Sequence, residues 1–191
     1  MKNYLTLLTA ILFFCSGQLA AQNDTIWFDT NWNETLKKDA TFYRPEVKKK
    51  GKGYWITDYY LSGQKQMEGL SVEHDAEVFD GEVTWYHDNG KVHQIVNYSK
   101  GHLHGDRSVY FSSGQQKSES SYKNGKLNGA WKSHYENGQI KDKGKFDNDQ
   151  KEGAWETYYD NGQLKEEGKY VFDKKVDVWK THYYDGQMND E

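Results

Sequence analysis

The sequence predicts an all-β fold: an elongated, single-layer antiparallel sheet of consecutive β-hairpins, built as a repeat solenoid. Three observations predict it. Gly81, Gly105, Gly129 and Gly153 stand 24 residues apart, Asp177 holds the same place next, and Gly90, Gly114, Gly138, Gly162 and Gly186 each follow nine residues later. Within each interval an aromatic and β-branched run enters an Asn-Gly-like turn and an alternating run leaves it, as in a hairpin. Finally, aromatics make up 16% of the chain, 15 of them Tyr, while mean hydropathy is −1.07. Such a chain cannot fill a large closed core, so its patterned polar residues belong on a solvated sheet face.

In chain order, residues 1–21 read as a secretory signal peptide. Lys2 is the positive start, Leu5 to Cys15 is an apolar run too short to span a bilayer, and Leu19-Ala20-Ala21 ends in small residues suited to cleavage. The expectation is an exported protein, periplasmic, cell-envelope or secreted, with no membrane span after signal cleavage. Cys15 is the only cysteine, so the mature chain has no disulfide to rely on. Residues 22–52 depart from the repeat and are expected to cap the array. Thr25 to Asp29 and Ala40 to Arg44 read as strands, Asn31 to Asp39 as a loop or single helical turn, and Lys48 to Gly53 as a basic turn. Residues 53–191 form the array of about six units. The first is irregular, with its turn at Ser62-Gly63 and extra residues over Val72 to Phe79, and the last is cut short at Glu191.

The clearest copy runs from Gly153 to Gly168. Asn161-Gly162 is expected to be a two-residue turn with positive φ at both positions. Tyr159 then faces Leu164, Thr157 faces Glu166 and Trp155 faces Gly168, and upstream Tyr135 faces Ile140 and Trp131 faces Gly144. An indole opposite glycine has room to lie across the partner's backbone. One face would carry Trp131, Tyr135, Trp155, Tyr159, Trp179 and Tyr183 with Ile140 and Leu164. The other would carry Lys132, Glu156, Lys180, Lys141 and Lys165.

Several chemistries find no residues to perform them. With 25 basic and 29 acidic side chains, the net charge of −4 is not the footprint of a nucleic-acid binder. No Gly-x-Ser-x-Gly elbow occurs, and Glu166-Glu167 are adjacent strand residues that point to opposite faces, so no enzyme is expected. His134 and His182 occupy equivalent places two units apart, about 19 Å at sheet spacing, too far to share an ion. His102 and His104, with His93 nearby, lack an evident further ligand. No metal and no cofactor are expected.

The spacing Gly-x-Trp-x-x-x-Tyr-x-Asn-Gly-Gln-x-Lys-x-x-Gly-x-Tyr/Phe, at Gly153 to Tyr170 and nearly as fully at Gly129 to Phe146, resembles the bacterial variant of the MORN repeat. The resemblance is to the family of YwqK-type antitoxin-like proteins and covers roughly residues 53–191. Trp32 to Met67, with Asp58-Tyr59-Tyr60, is similar to the start of exported members. Val83 and Arg107 depart from the pattern where tryptophan is expected. The resemblance implies a scaffold for protein–protein binding, with a toxin as the partner. The aromatic face, Trp131, Tyr135, Trp155, Tyr159, Trp179 and Tyr183, is the candidate surface. The alternatives are a carbohydrate- or envelope-binding module stacking sugars on its tryptophans, and a structural spacer.

Overall fold

A computed structural model describes residues 25–74 and 76–189. The expected signal peptide, and the charged Asp190-Glu191 expected to guard the sheet edge, lie outside the described residues. The remainder is one open antiparallel sheet of fifteen strands, as the repeat spacing predicts. The strands are β1 (Ile26–Phe28), β2 (Phe42–Arg44), β3 (Lys48–Lys50), β4 (Gly53–Tyr60), β5 (Lys65–Ser71), β6 (Phe79–Tyr86), β7 (Val92–Ser99) and β8 (His102–Tyr110). They continue as β9 (Gln116–Lys123), β10 (Lys126–His134), β11 (Ile140–Asp147), β12 (Gln150–Tyr158), β13 (Leu164–Val171), β14 (Lys174–His182) and β15 (Met188–Asn189). From β4 onward each strand pairs with the next in sequence.

The turns differ from expectation in an informative way. Within a unit, Gly162 N–H donates to Tyr159 O at 3.0 Å and Tyr159 N–H to Gln163 O at 2.8 Å. Gly162 has φ +85°, but Asn161 is not in the left-handed region. This is a type I turn closed by a glycine bulge, not the two-residue turn expected there. The two-residue turn with both residues left-handed occurs between units instead, at Asn124-Gly125 (φ 51° and 83°). The same conformation is imposed on Phe172-Asp173, with φ 49° and 64°. A bulky residue in that region is strained by about 1–2 kcal/mol. Phe172→Asn is therefore expected to raise stability by about 1 kcal/mol and Tm by about 2–4 °C, read by thermal unfolding.

Register follows expectation near the unit's opening and departs from it near the turn. Trp155 pairs with Gly168 and Thr157 with Glu166, but Leu164 lies opposite Tyr158 rather than Tyr159, because Lys165 is bulged out. The same shift puts Ile140 opposite His134. A one-residue slip exchanges sheet faces. Lys165 and Lys141 accordingly stand over the rings of Tyr159 and Tyr135, at 5.5 and 5.8 Å, rather than on the opposite face.

The opening glycines serve a bulge between units. Gly153, Ala154 and Trp155 together face Gly144, between the pairs Glu152–Lys145 and Glu156–Lys143. The bulge needs a left-handed residue, which Gly153 supplies at φ +74° and Asp177 at φ 59°. It also settles which indole covers which glycine. A Cβ on Gly144 would lie 2.3 Å from the Trp155 ring, and one on Gly168 2.3 Å from Trp179. Each indole thus lies on the glycine of the preceding unit, whereas the sequence reading placed Trp131 on Gly144 and Trp155 on Gly168. The register was right and the covering neighbour was the other one.

Side chains stitch several turns to the next. Asn137 and Asn161 donate to Asp160 O and Tyr184 O at 2.7 and 2.9 Å, and Asn89 donates to Ser112 O at 2.9 Å. Beside them the Tyr135 and Tyr159 hydroxyls donate to Tyr158 O and His182 O at 2.8 and 2.9 Å. At the intervening turn Phe111 and Ser113 occupy these two places, and among the described residues neither sends a side-chain hydrogen bond to the following turn.

The N-terminal region completes the sheet. Pro45, Glu46 and Val47 interrupt what would be one strand into β2 and β3, which pair with opposite ends of β4. Lys48 to Lys50 is thus a short strand rather than part of a turn, and a single 3₁₀ turn, Lys37–Asp39, lies in the predicted loop. The best-buried apolar cluster, Ile56, Met67, Phe79 and Val83, sits just beyond, with Val47 folded against it. Val83, which stands where the repeat has tryptophan, is a fully buried member of this core.

Candidate functional site

The predicted aromatic strip forms, and its geometry limits what it can touch. Trp131, Phe146, Trp155, Tyr170 and Trp179 follow one another edge to face, with centroid separations of 5.7, 5.2, 5.9 and 4.9 Å. Such contacts add to the area each ring buries. The Lys151 ammonium stands 4.3 Å from the Trp155 ring and Lys175 4.0 Å from Trp179, so the strip carries a cover of lysine stems. Trp155, with Gly144 beneath it, is only 4% exposed. Tyr135 and Tyr159 stand at the turns with their hydroxyls engaged by backbone carbonyls, and burial pushes the Tyr135 phenol above its ordinary value. Tyr183 differs: it is 50% exposed, with its hydroxyl donating to Asn189 Oδ1 at 3.0 Å. In the same C-terminal stretch, Phe172, Val178, Tyr184 and Met188 are also left in water.

A second feature had no signal in the repeat. Where Pro45 breaks the first edge, β2 and the loop before β6 enclose a cleft of about 850 Å³. At its floor Arg44 forks onto Asp58, Nε to Oδ1 at 2.6 Å and Nη2 to Oδ2 at 2.7 Å. Nη2 also reaches Glu77 Oε1 at 2.5 Å. Asp58 is fully buried. Its burial pushes the carboxyl above its ordinary value, partly offset by Arg44, while the two carboxylates hold the guanidinium more firmly protonated. Phe28, Trp32 and Trp85 form aromatic walls. Trp32 is held by stacking on Phe42 at 4.5 Å and 4°, which offsets its own left-handed backbone at φ 63°. Only the β2–β4 pairing brings Arg44 and Asp58 together, so no local spacing could have announced them.

The histidines do not converge. His93 lies against His87, with ring centroids 4.6 Å apart, and burial followed by that neighbour lowers its pKa. Among the described residues no three His, Cys, Asp or Glu side chains stand where they could hold a metal ion. Among them, too, no helix is long and apolar enough to cross a membrane.

Comparison with curated proteins finds no match. Comparison with protein families does, and each matched stretch spans one of the hairpins described above, β6–β7, β8–β9, β10–β11 and β12–β13. Residues 79–100, 103–124, 127–148 and 151–171 are four matches to the MORN repeat variant, one for each of these hairpins.

Proposed function

We propose that the chain is an exported, non-enzymatic repeat scaffold that binds another protein, in an antitoxin- or immunity-like role with a toxin as partner. The observation that carries the binding reading is the number of large apolar side chains left exposed between residues 172 and 188. Val178 is 84% exposed, Phe172 64%, and Tyr183, Tyr184 and Met188 about half. Exposed apolar surface on a chain this polar favours a partner over solvent. The sugar-stacking alternative finds less support, because Trp155 is enclosed between Gly144 and Lys151. Export rests on the signal-like residues 1–21, and the antitoxin role on the resemblance.

The test is affinity purification from the native host with wild type and with Val178→Asp/Tyr183→Ser. A protein recovered by wild type and lost with the variant is the expected result, and its expression alone should arrest growth that the wild-type chain restores. Equal recovery by both chains sinks the reading, and a mature mass that does not begin at Gln22 sinks the export assignment.

A further inference from the structure

We infer that the N-terminal cleft is a binding site for an organic cation, an alkyl guanidinium seated between the aromatic walls and the carboxylates of the rim. Four carboxylates line the cleft, from Glu34, Glu46, Asp58 and Glu77, against the single guanidinium of Arg44. Arg44 is committed to Asp58 and Glu77, so the charge left over is negative and sits at the mouth. Glu34 and Glu46 are exposed there, and neither carboxylate has a side-chain partner among the described residues. A separate observation points the same way. Gln66 lines the cleft, and its Oε1 is buried with no hydrogen-bond partner among the described residues. A buried acceptor without a donor is costly, and a ligand bearing N–H groups relieves it.

The walls add shape to charge. Trp32 lines the cleft and is 39% exposed, with Phe42 stacked on one face of its ring. A planar guanidinium suits such a place, because it stacks on aromatic faces and forks onto carboxylates, whereas a compact ammonium does one of these less well. The volume is that of an ordinary ligand pocket and exceeds the needs of a single side chain's head group, leaving room for an alkyl stem. An anion would meet the same carboxylates as repulsion, and a sugar would leave the rim charges unanswered.

The guanidinium could be carried by a free small molecule or by an arginine side chain of a partner, and the test separates these. The full chain is titrated calorimetrically at low ionic strength with N-acetylarginine methyl ester and with its uncharged isostere, N-acetylcitrulline methyl ester. Saturable binding of the arginine ester, about tenfold or more tighter than the citrulline ester, is expected, and weakening as salt is raised. Glu34→Gln/Glu46→Gln removes only exposed charge, should leave the far-ultraviolet circular dichroism unchanged, and should weaken the arginine ester by about tenfold or more. A nine-residue peptide with one central arginine, binding more tightly than the free ester, assigns the cation to a partner protein. Equal or weaker binding by the peptide assigns it to a small molecule. No saturable binding, equal binding of the two esters, or an affinity untouched by the double variant overturns the proposal. The residues tested lie far in sequence from Val178 and Tyr183, so either idea can fail alone.

Discussion

Gly144→Val is expected to destabilise the sheet by about 3 kcal/mol in urea unfolding, the upper end of what overpacking costs. The added Cβ would fall 2.3 Å from two ring carbons of Trp155 and 2.7 Å from a third, well inside contact distance, and the backbone of Gly144 cannot retreat because it is fixed in β11. The indole must lift instead, giving up burial that leaves it 4% exposed and the hydrogen bond its Nε1 donates to Lys145 O at 3.2 Å. Losing a buried tryptophan outright costs about 3–5 kcal/mol, which bounds the effect. A double-mutant cycle identifies the covering ring. Most of the cost of Gly144→Ala should vanish in a Trp155→Ala background and persist in Trp131→Ala. The opposite pattern would restore the assignment first read from sequence, with Trp131 over Gly144.

Arg44→Met should cost about 3–5 kcal/mol at neutral pH, because it leaves the Asp58 carboxylate buried without its partner. Arg44→Met/Asp58→Leu should recover most of that loss, since an apolar pair of similar volume avoids the uncompensated charge. The pH dependence has a definite sign. Burial raises the folded-state pKa of Asp58 above the ordinary 3.8, and removing Arg44 raises it further. A group raised in the folded state contributes fully below the unfolded value and loses that contribution as pH rises through the folded one. The deficit of Arg44→Met should therefore be smallest near pH 3.8 and grow toward neutrality. A deficit that is flat with pH would mean the Asp58 charge is solvated in the variant.

What could be read from the sequence was whatever repeats. The 24-residue interval carried the hairpins, the pairing of Trp155 with Gly168 and the aromatic strip, because one geometric rule is stated several times over. What could not be read was set by small departures from that rule. Lys165 slips out of register and moves Leu164 to a different neighbour, and no propensity distinguishes a strand lysine from a bulged one. The between-unit bulge at Gly153 decides that Trp155 leans upstream, although the glycine had been read only as the start of a unit. The turn chemistry was exchanged, because Asn-Gly suits both the type I turn at Asn161-Gly162 and the two-residue turn at Asn124-Gly125. The N-terminal cleft was invisible for a different reason. Arg44 and Asp58 meet through a strand pairing outside the repeat, and one arginine with one aspartate has no period.

The interrupted turn at Phe111 and Ser113 has a consequence for how the array comes apart. In a quasi-one-dimensional stack, stability is shared between each unit and its contact with the next. Where the phenol and amide clips are missing, the turn end of that contact is held by the strand ladder alone, so local opening is expected to begin at that turn rather than only at the ends. The expected unfolding behaviour is that of two blocks meeting at this turn, with the cleft on one side and the exposed C-terminal apolar side chains on the other. Hydrogen exchange would find the backbone amides of the seam opening first, and strain applied across the sheet would yield there before tearing either block.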